Sequence, residues 1–145
     1  MHLGDFDKYI SFHIVSEGLI YEDDAIKVSA YGTRHISSEN GYITYGYLFE
    51  NANKKMFYTE DLRPDFADFP IRAFETPVDL LVCECTHYAP ESALPVFKTL
   101  QIKQLLFNHV GDAWADKCGE LELMNYYKEL PYPCYIAHDG DEFKI

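Results

Sequence analysis

Three residues sit where apolar, strand-like runs end: His35 after Ile26–Ala30, Asp61 after Lys55–Thr59 and His109 after Lys103–Phe107. Side chains at strand ends meet along one rim of a packed sheet. There, imidazole and carboxylate form a donor set that holds zinc or a similar cation. Three such ligands leave one coordination position open. The chain has no HxH, HxxxH or HxxEH pair, so its donors must be gathered by the fold rather than by a local motif.

Each of these residues also has a plainer use. Asp61 can cap the turn that follows it, His109 can hydrogen-bond a loop carbonyl, and His35 can be a solvated surface histidine. The stretch Cys83-Glu84-Cys85-Thr86-His87 offers a second set of groups. If it is all strand, period two puts Cys83, Cys85 and His87 on one face and Glu84 on the other. A CxCxH run lacks the two-residue gap of a zinc site and has no second pair. We therefore expect buried cysteines packed against a helix. If the strand ends by Cys85, a turn brings Glu84 and His87 together as a proton-transfer pair.

The elements that must position these groups are legible as patterns. Strands are expected within the first twenty-five residues and at Ile26–Tyr31, Tyr42–Phe49 and Lys55–Thr59, with Gly32–Gly41 a polar loop carrying His35. Arg63–Pro77, with three prolines and scattered aromatics, reads as a loop with room for a short helical turn. Leu80–Cys83 and Ile102–Phe107 are continuous apolar runs suited to strands covered on both faces. A helix is expected from Pro90 through Leu100, with proline and acid in its first turn, and another over Ala113–Leu130, stopped by Pro131. Tyr135–Ala137 and Phe143–Ile145 read as short strands. Tyr42, Tyr45, Tyr47 and Phe49 are assigned to sheet packing, and Asp116, Glu120 and Glu122 to a solvated helix face. Together these give an α+β fold, a mixed sheet with helices on one face, in a single domain over residues 1–145.

The 145-residue chain is long enough to bury roughly 70% of its unfolded surface. Its formal charge of −12 disfavours nucleic acid and anionic membranes as partners. No stretch of eighteen apolar residues exists, and Met1–Tyr9 carries charge rather than an apolar leader. We therefore expect a cytoplasmic protein without membrane association.

Read in order, several segments resemble the C-terminal half of a metallo-β-lactamase-fold hydrolase. They are Ile26–Ala30 leading to His35, Gly41-Tyr42 through Gly46-Tyr47, Met56–Asp61, Val78–Glu84, Leu105–His109 and Ala137–Gly140. The nearest branch is that of the tRNA 3′-end-processing endonucleases and related phosphodiesterases. The resemblance implies that Asp61 is a metal-bridging carboxylate and His109 the last histidine ligand. For His35 it implies either a ligand or a histidine that precedes the glycine-tyrosine strand. Cys83-Glu84-Cys85-Thr86 is similar to the branch's His-Glu-Ala-Thr stretch, whose first two residues assist proton transfer; Glu84 keeps that register, and His87 could act only from a different position.

The chain departs from the pattern at three points. The HxHxDH signature, which the family carries in its N-terminal half, is not in this chain, Cys83 replaces the histidine, and Glu60 stands where a small residue precedes the aspartate. Two-metal hydrolysis needs both cations, and His35, Asp61 and His109 cannot fill two sites. The resemblance thus implies a truncated or divergent metal-dependent hydrolase, with zinc at low occupancy or absent, acting on a small molecule or a phosphodiester. The alternative is a non-catalytic dimeric interaction module without metal. Half of an αββα sandwich leaves an apolar sheet face uncovered, and each large side chain exposed there costs about 1.5–3 kcal/mol. We therefore expect a homodimer, or association with a separate polypeptide supplying the N-terminal half.

Overall fold

The apolar run around Leu81 extends to Val78–Cys85 (β5) and lies at the heart of the sheet, all but one of its residues buried. In a computed structural model, which describes residues 9–38 and 41–145, seven strands form one sheet in sequential order. They are β1 (Gly18–Glu22), β2 (Lys27–Ser38), β3 (Gly41–Glu50), β4 (Lys55–Tyr58), β5, β6 (Ile102–Val110) and β7 (Cys134–Ile136). β1 to β4 pair antiparallel, and β4 to β7 pair parallel. The start of the chain, read above for its charge, and the Tyr42 side chain lie outside the described residues. Among the described residues, no helix is long and apolar enough to cross a membrane.

Two helices, α1 (Pro90–Phe97) and α2 (Lys117–Tyr127), pack on one face of the sheet. Phe97 of α1 and Tyr127 of α2 both meet Phe107 of β6, at ring-centroid distances of 6.1 and 5.0 Å. The loop between β4 and β5 completes this core by adding Phe66, Phe69 and Phe74. Both helices are shorter than the apolar spacing predicts. α1 stops at Phe97, where the Lys98 N–H closes back on Leu94. α2 starts at Lys117 because the exposed Asp116 carboxylate accepts the Cys118 and Gly119 N–H groups, which makes this solvated residue the N-cap of the helix. Asp112–Trp114 form a separate 3₁₀ turn.

Gly119 lets α2 approach that turn. A Cβ at this position would lie 2.6 Å from the Ala113 carbonyl oxygen and 2.7 Å from the Trp114 Cα. Both are backbone atoms and cannot rotate away. Alanine is the better helix former by about 1 kcal/mol, yet Gly119→Ala should destabilise by about 1–3 kcal/mol. A urea midpoint unchanged or raised would show that the helix is not held against the turn.

Phe143–Ile145 do not form the expected strand. They lie across the face opposite the helices, where Phe143 meets Tyr135, the Gln104 amide donates to the Lys144 carbonyl, and Ile145 shares a groove with Phe49 and Met56.

Candidate metal centre

The parallel strands β4, β5 and β6 end at one edge of the sheet, and β2, two antiparallel steps from β4, runs the same way. All the candidate residues lie at this edge. His35 is within β2 rather than in a loop, because the strand continues to Ser38. The β2–β3 register jumps between Thr33↔Thr44 and Ser37↔Tyr42, so His35 sits in a bulge. The bulge is pinned by Asp68, whose carboxylate accepts the Arg34 N–H at 2.7 Å and the Arg63 N–H at 3.0 Å. Nothing in the sequence pattern singles out Asp68, because its partners come from two distant segments.

His109 occupies a second bulge. Glu84 pairs with Asn108 and Cys85 with Val110, which leaves His109 as the extra residue, at φ 44°. The left-handed conformation strains any residue with a Cβ by about 1–2 kcal/mol. His109→Gly should therefore be more stable than His109→Ala by about 1 kcal/mol, both having lost the imidazole. Equal urea midpoints for the two would mean that the backbone here is relaxed. Glu60 is also left-handed, at φ 54°, which gives a physical reason for preferring a small residue before Asp61. Burial, and then the charge of Asp61, push the Glu60 carboxyl above its ordinary range.

Beyond β5 the chain turns, and His87 folds back on Glu84. The Glu84 carboxylate is buried and accepts four N–H groups: Leu62 N at 2.9 Å, Thr86 N at 2.6 Å, His87 N at 3.1 Å and His87 Nδ1 at 3.1 Å. Cys83 and Cys85 are fully buried in the helix-side core. Burial pushes the Cys83 thiol far up and the Cys85 thiol up to about 12, so neither supplies a thiolate at neutral pH.

Three imidazoles meet at this rim. The His87 ring lies 4.5 Å from His35 and 5.3 Å from His109, centroid to centroid. Each Nδ1 faces a scaffold oxygen: the Leu62 carbonyl at 2.9 Å from His35, Glu84 at 3.1 Å from His87, and Asp61 at 2.9 Å from His109. A carbonyl or carboxylate only accepts, so each Nδ1 carries a proton, and in its neutral form each ring has its lone pair on Nε2. An oxygen acceptor on the far nitrogen is the support that metal-ligating histidines commonly have. The donor set therefore fits a divalent cation. Two groups bring one donor atom per residue within 4.8 Å of one another: His35 with Asp61 and His87, and Glu84 with His87 and His109. Both contain His87, whereas His35, Asp61 and His109 form no such group among the described residues. Beside His35 and Asp61 opens a cleft of about 360 Å³ walled by Tyr45, Tyr47 and Glu60.

Farther along the same edge, His138 Nε2 meets Glu120 of α2 at 2.7 Å and Nδ1 meets Asp141 at 3.4 Å. The Glu120 hydrogen bond chiefly raises the His138 pKa. His138 ties α2 to the chain end and belongs to neither donor group.

Solved structures share this architecture. The metallo-β-lactamase fold protein YhfI from Bacillus subtilis matches with a TM-score of 0.65 at 16% identity, over 96% of this chain and 60% of its own. Zn²⁺-bound PqqB from Methylobacterium extorquens matches at 0.63 and 13% identity, over 91% and 55%. Igni18, a metallo hydrolase from Ignicoccus hospitalis, matches at 0.62 and 16% identity, over 96% and 64%. The mixed seven-stranded sheet with its two helices is thus an α+β arrangement of the metallo-β-lactamase fold. The chain spans less than two thirds of the length of each of these proteins. No protein-family model and no curated protein sequence matches it.

Proposed function

We propose that this chain carries a single-cation hydrolase centre of the metallo-β-lactamase type, in the cytoplasm, with zinc as the cation and an ester or phosphodiester as substrate. One observation carries the proposal: three imidazoles with scaffold-held Nδ1 atoms meet beside Asp61 at the rim of the sheet. A bound cation would polarise the scissile ester and lower the pKa of a water. The chain's own residues would supply the rest. Leu62, Glu84 and Asp61 orient the rings, and the cleft between Tyr45, Tyr47 and Glu60 admits the substrate. The phosphodiester end of this range follows from the similarity of Met56–Asp61 and Cys83–Thr86 to the tRNA 3′-end-processing branch.

Equilibrium dialysis against zinc, followed by metal analysis, tests the centre. We expect about one zinc per chain, lost in Asp61→Ala, and zinc-dependent hydrolysis of bis(p-nitrophenyl) phosphate or p-nitrophenyl acetate. A protein that takes up no zinc would overturn the proposal.

A second reading is favoured by the sheet face opposite the helices. Tyr45, Tyr47, Phe49, Met56, Tyr58 and Val82 are each only half-buried there, although residues 143–145 cover part of the same face. A second copy of the chain, or a separate polypeptide layer, would remove these groups from water. Light scattering that returns the mass of one chain at micromolar concentration would exclude the homodimer.

A further inference from the structure

We infer that the cation is held by His35, Asp61 and His87, and that His109 is a positioning residue acting through Asp61. This rests on the single-cation centre proposed above and departs from the roles that the family resemblance implies, in which His109 is a ligand and His87 is not.

The first reason is what each donor already does. The group of Glu84, His87 and His109 needs an oxygen of Glu84, but that carboxylate is buried and accepts four N–H groups. Giving an oxygen to a cation would strand backbone donors in the interior. Asp61 is committed differently. Among the described residues its one hydrogen bond is at Oδ1, from His109 Nδ1, and the residue is partly open to solvent.

The second reason is the shape of imidazole. The two ring nitrogens point in widely divergent directions, so a ring that donates from Nδ1 to Asp61 turns Nε2 away from that oxygen. His109 therefore cannot readily share a cation with the Asp61 oxygen it holds. His35 and His87 donate to the Leu62 carbonyl and to Glu84 instead, so neither ring spends its Nδ1 on the carboxylate that would complete the site. Two neutral imidazoles and one carboxylate make a three-ligand set with an open fourth position, the form of a catalytic rather than a structural zinc site. Glu84–His87 then supports a ligand, and does not serve as the proton-transfer pair considered from the sequence.

The test uses the intact chain with uniformly ¹⁵N-labelled histidine, titrated with zinc alone and followed by long-range ¹H–¹⁵N NMR. We expect the Nε2 resonances of His35 and His87 to move to metal-bound values while His109 Nε2 does not. Chelator competition provides the second measurement. His87→Ala should weaken zinc binding at least about 100-fold, and His109→Ala by about 10–100-fold, the effect typical of an outer-shell partner. His109→Asn, which keeps an N–H donor and tolerates the left-handed backbone, should recover most of the latter loss. Cobalt substitution should show a visible spectrum unchanged by His109→Asn and altered by His87→Ala. Zinc-dependent shifts at His109 Nε2 with His87 unmoved would overturn this assignment and leave the metal centre standing. Absence of any zinc-dependent shift would overturn both.

Discussion

Glu84→Ala should destabilise the protein by about 3–5 kcal/mol, as expected when one partner of a buried charged network is removed. Its carboxylate is the one acceptor shared by the Leu62, Thr86 and His87 N–H groups and by the His87 ring. Alanine would leave three backbone donors in a site that is 1% exposed. It would also free two loops at once, the one after β4 that carries Asp61 and Leu62 and the one after β5 that carries His87. Glu84→Gln keeps one carbonyl oxygen but turns an NH₂ toward N–H donors, so it should fall between wild type and alanine. Urea unfolding at constant m-value checks the series. A loss under 1 kcal/mol for Glu84→Ala would show that water replaces the carboxylate and that the rim is not built around it.

The legible and illegible parts of this site differ for a physical reason. The runs at Leu80–Cys83 and Leu105–Phe107 announce central strands because strands covered on both faces must be apolar throughout. The meeting of Glu84 with His87 is foreseeable from one condition, a strand ending by Cys85, and β5 does end there. His35 is different. Its neighbours Arg34, Ile36 and Ser37 carry no clean alternation, so the segment reads as a loop; the strand persists because a bulge absorbs the mismatch and Asp68 satisfies the freed N–H. The bulge at His109 is equally silent, since it is created by a register shift against β5 rather than by any turn residue. The consequence for function is that two bulges and one turn together set which donors meet. Position along the chain suggests His35, Asp61 and His109 as one set, while the turn after β5 folds His87 back on Glu84 and sets its ring between those of His35 and His109.

Phe97→Ala should cost about 3–5 kcal/mol and lower the melting temperature by roughly 6–20 °C, given about 2–4 °C per kcal/mol for a chain of this size. Phe97 is fully buried and joins parts of the fold that share no sheet hydrogen bonds. Its ring meets Phe66 and Phe69 of the β4–β5 loop at 5.4 and 6.2 Å, Phe107 of β6 at 6.1 Å and Tyr127 of α2 at 5.6 Å. The same residue's carbonyl accepts the buried Tyr132 hydroxyl at 2.7 Å, which fixes the chain just before β7. Removing the ring leaves a cavity among rigid aromatics that cannot close by rotating flexible side chains, which places the cost at the upper end for such truncations. The loop that loses two ring contacts also carries Asp68, the residue that pins the His35 bulge, so a destabilised core should reach the rim. Zinc affinity in Phe97→Ala, measured well below its melting point, should fall although the ring touches none of the proposed ligands. Unchanged affinity alongside the lost stability would mean that the rim is held by its own hydrogen bonds and is insulated from the aromatic core.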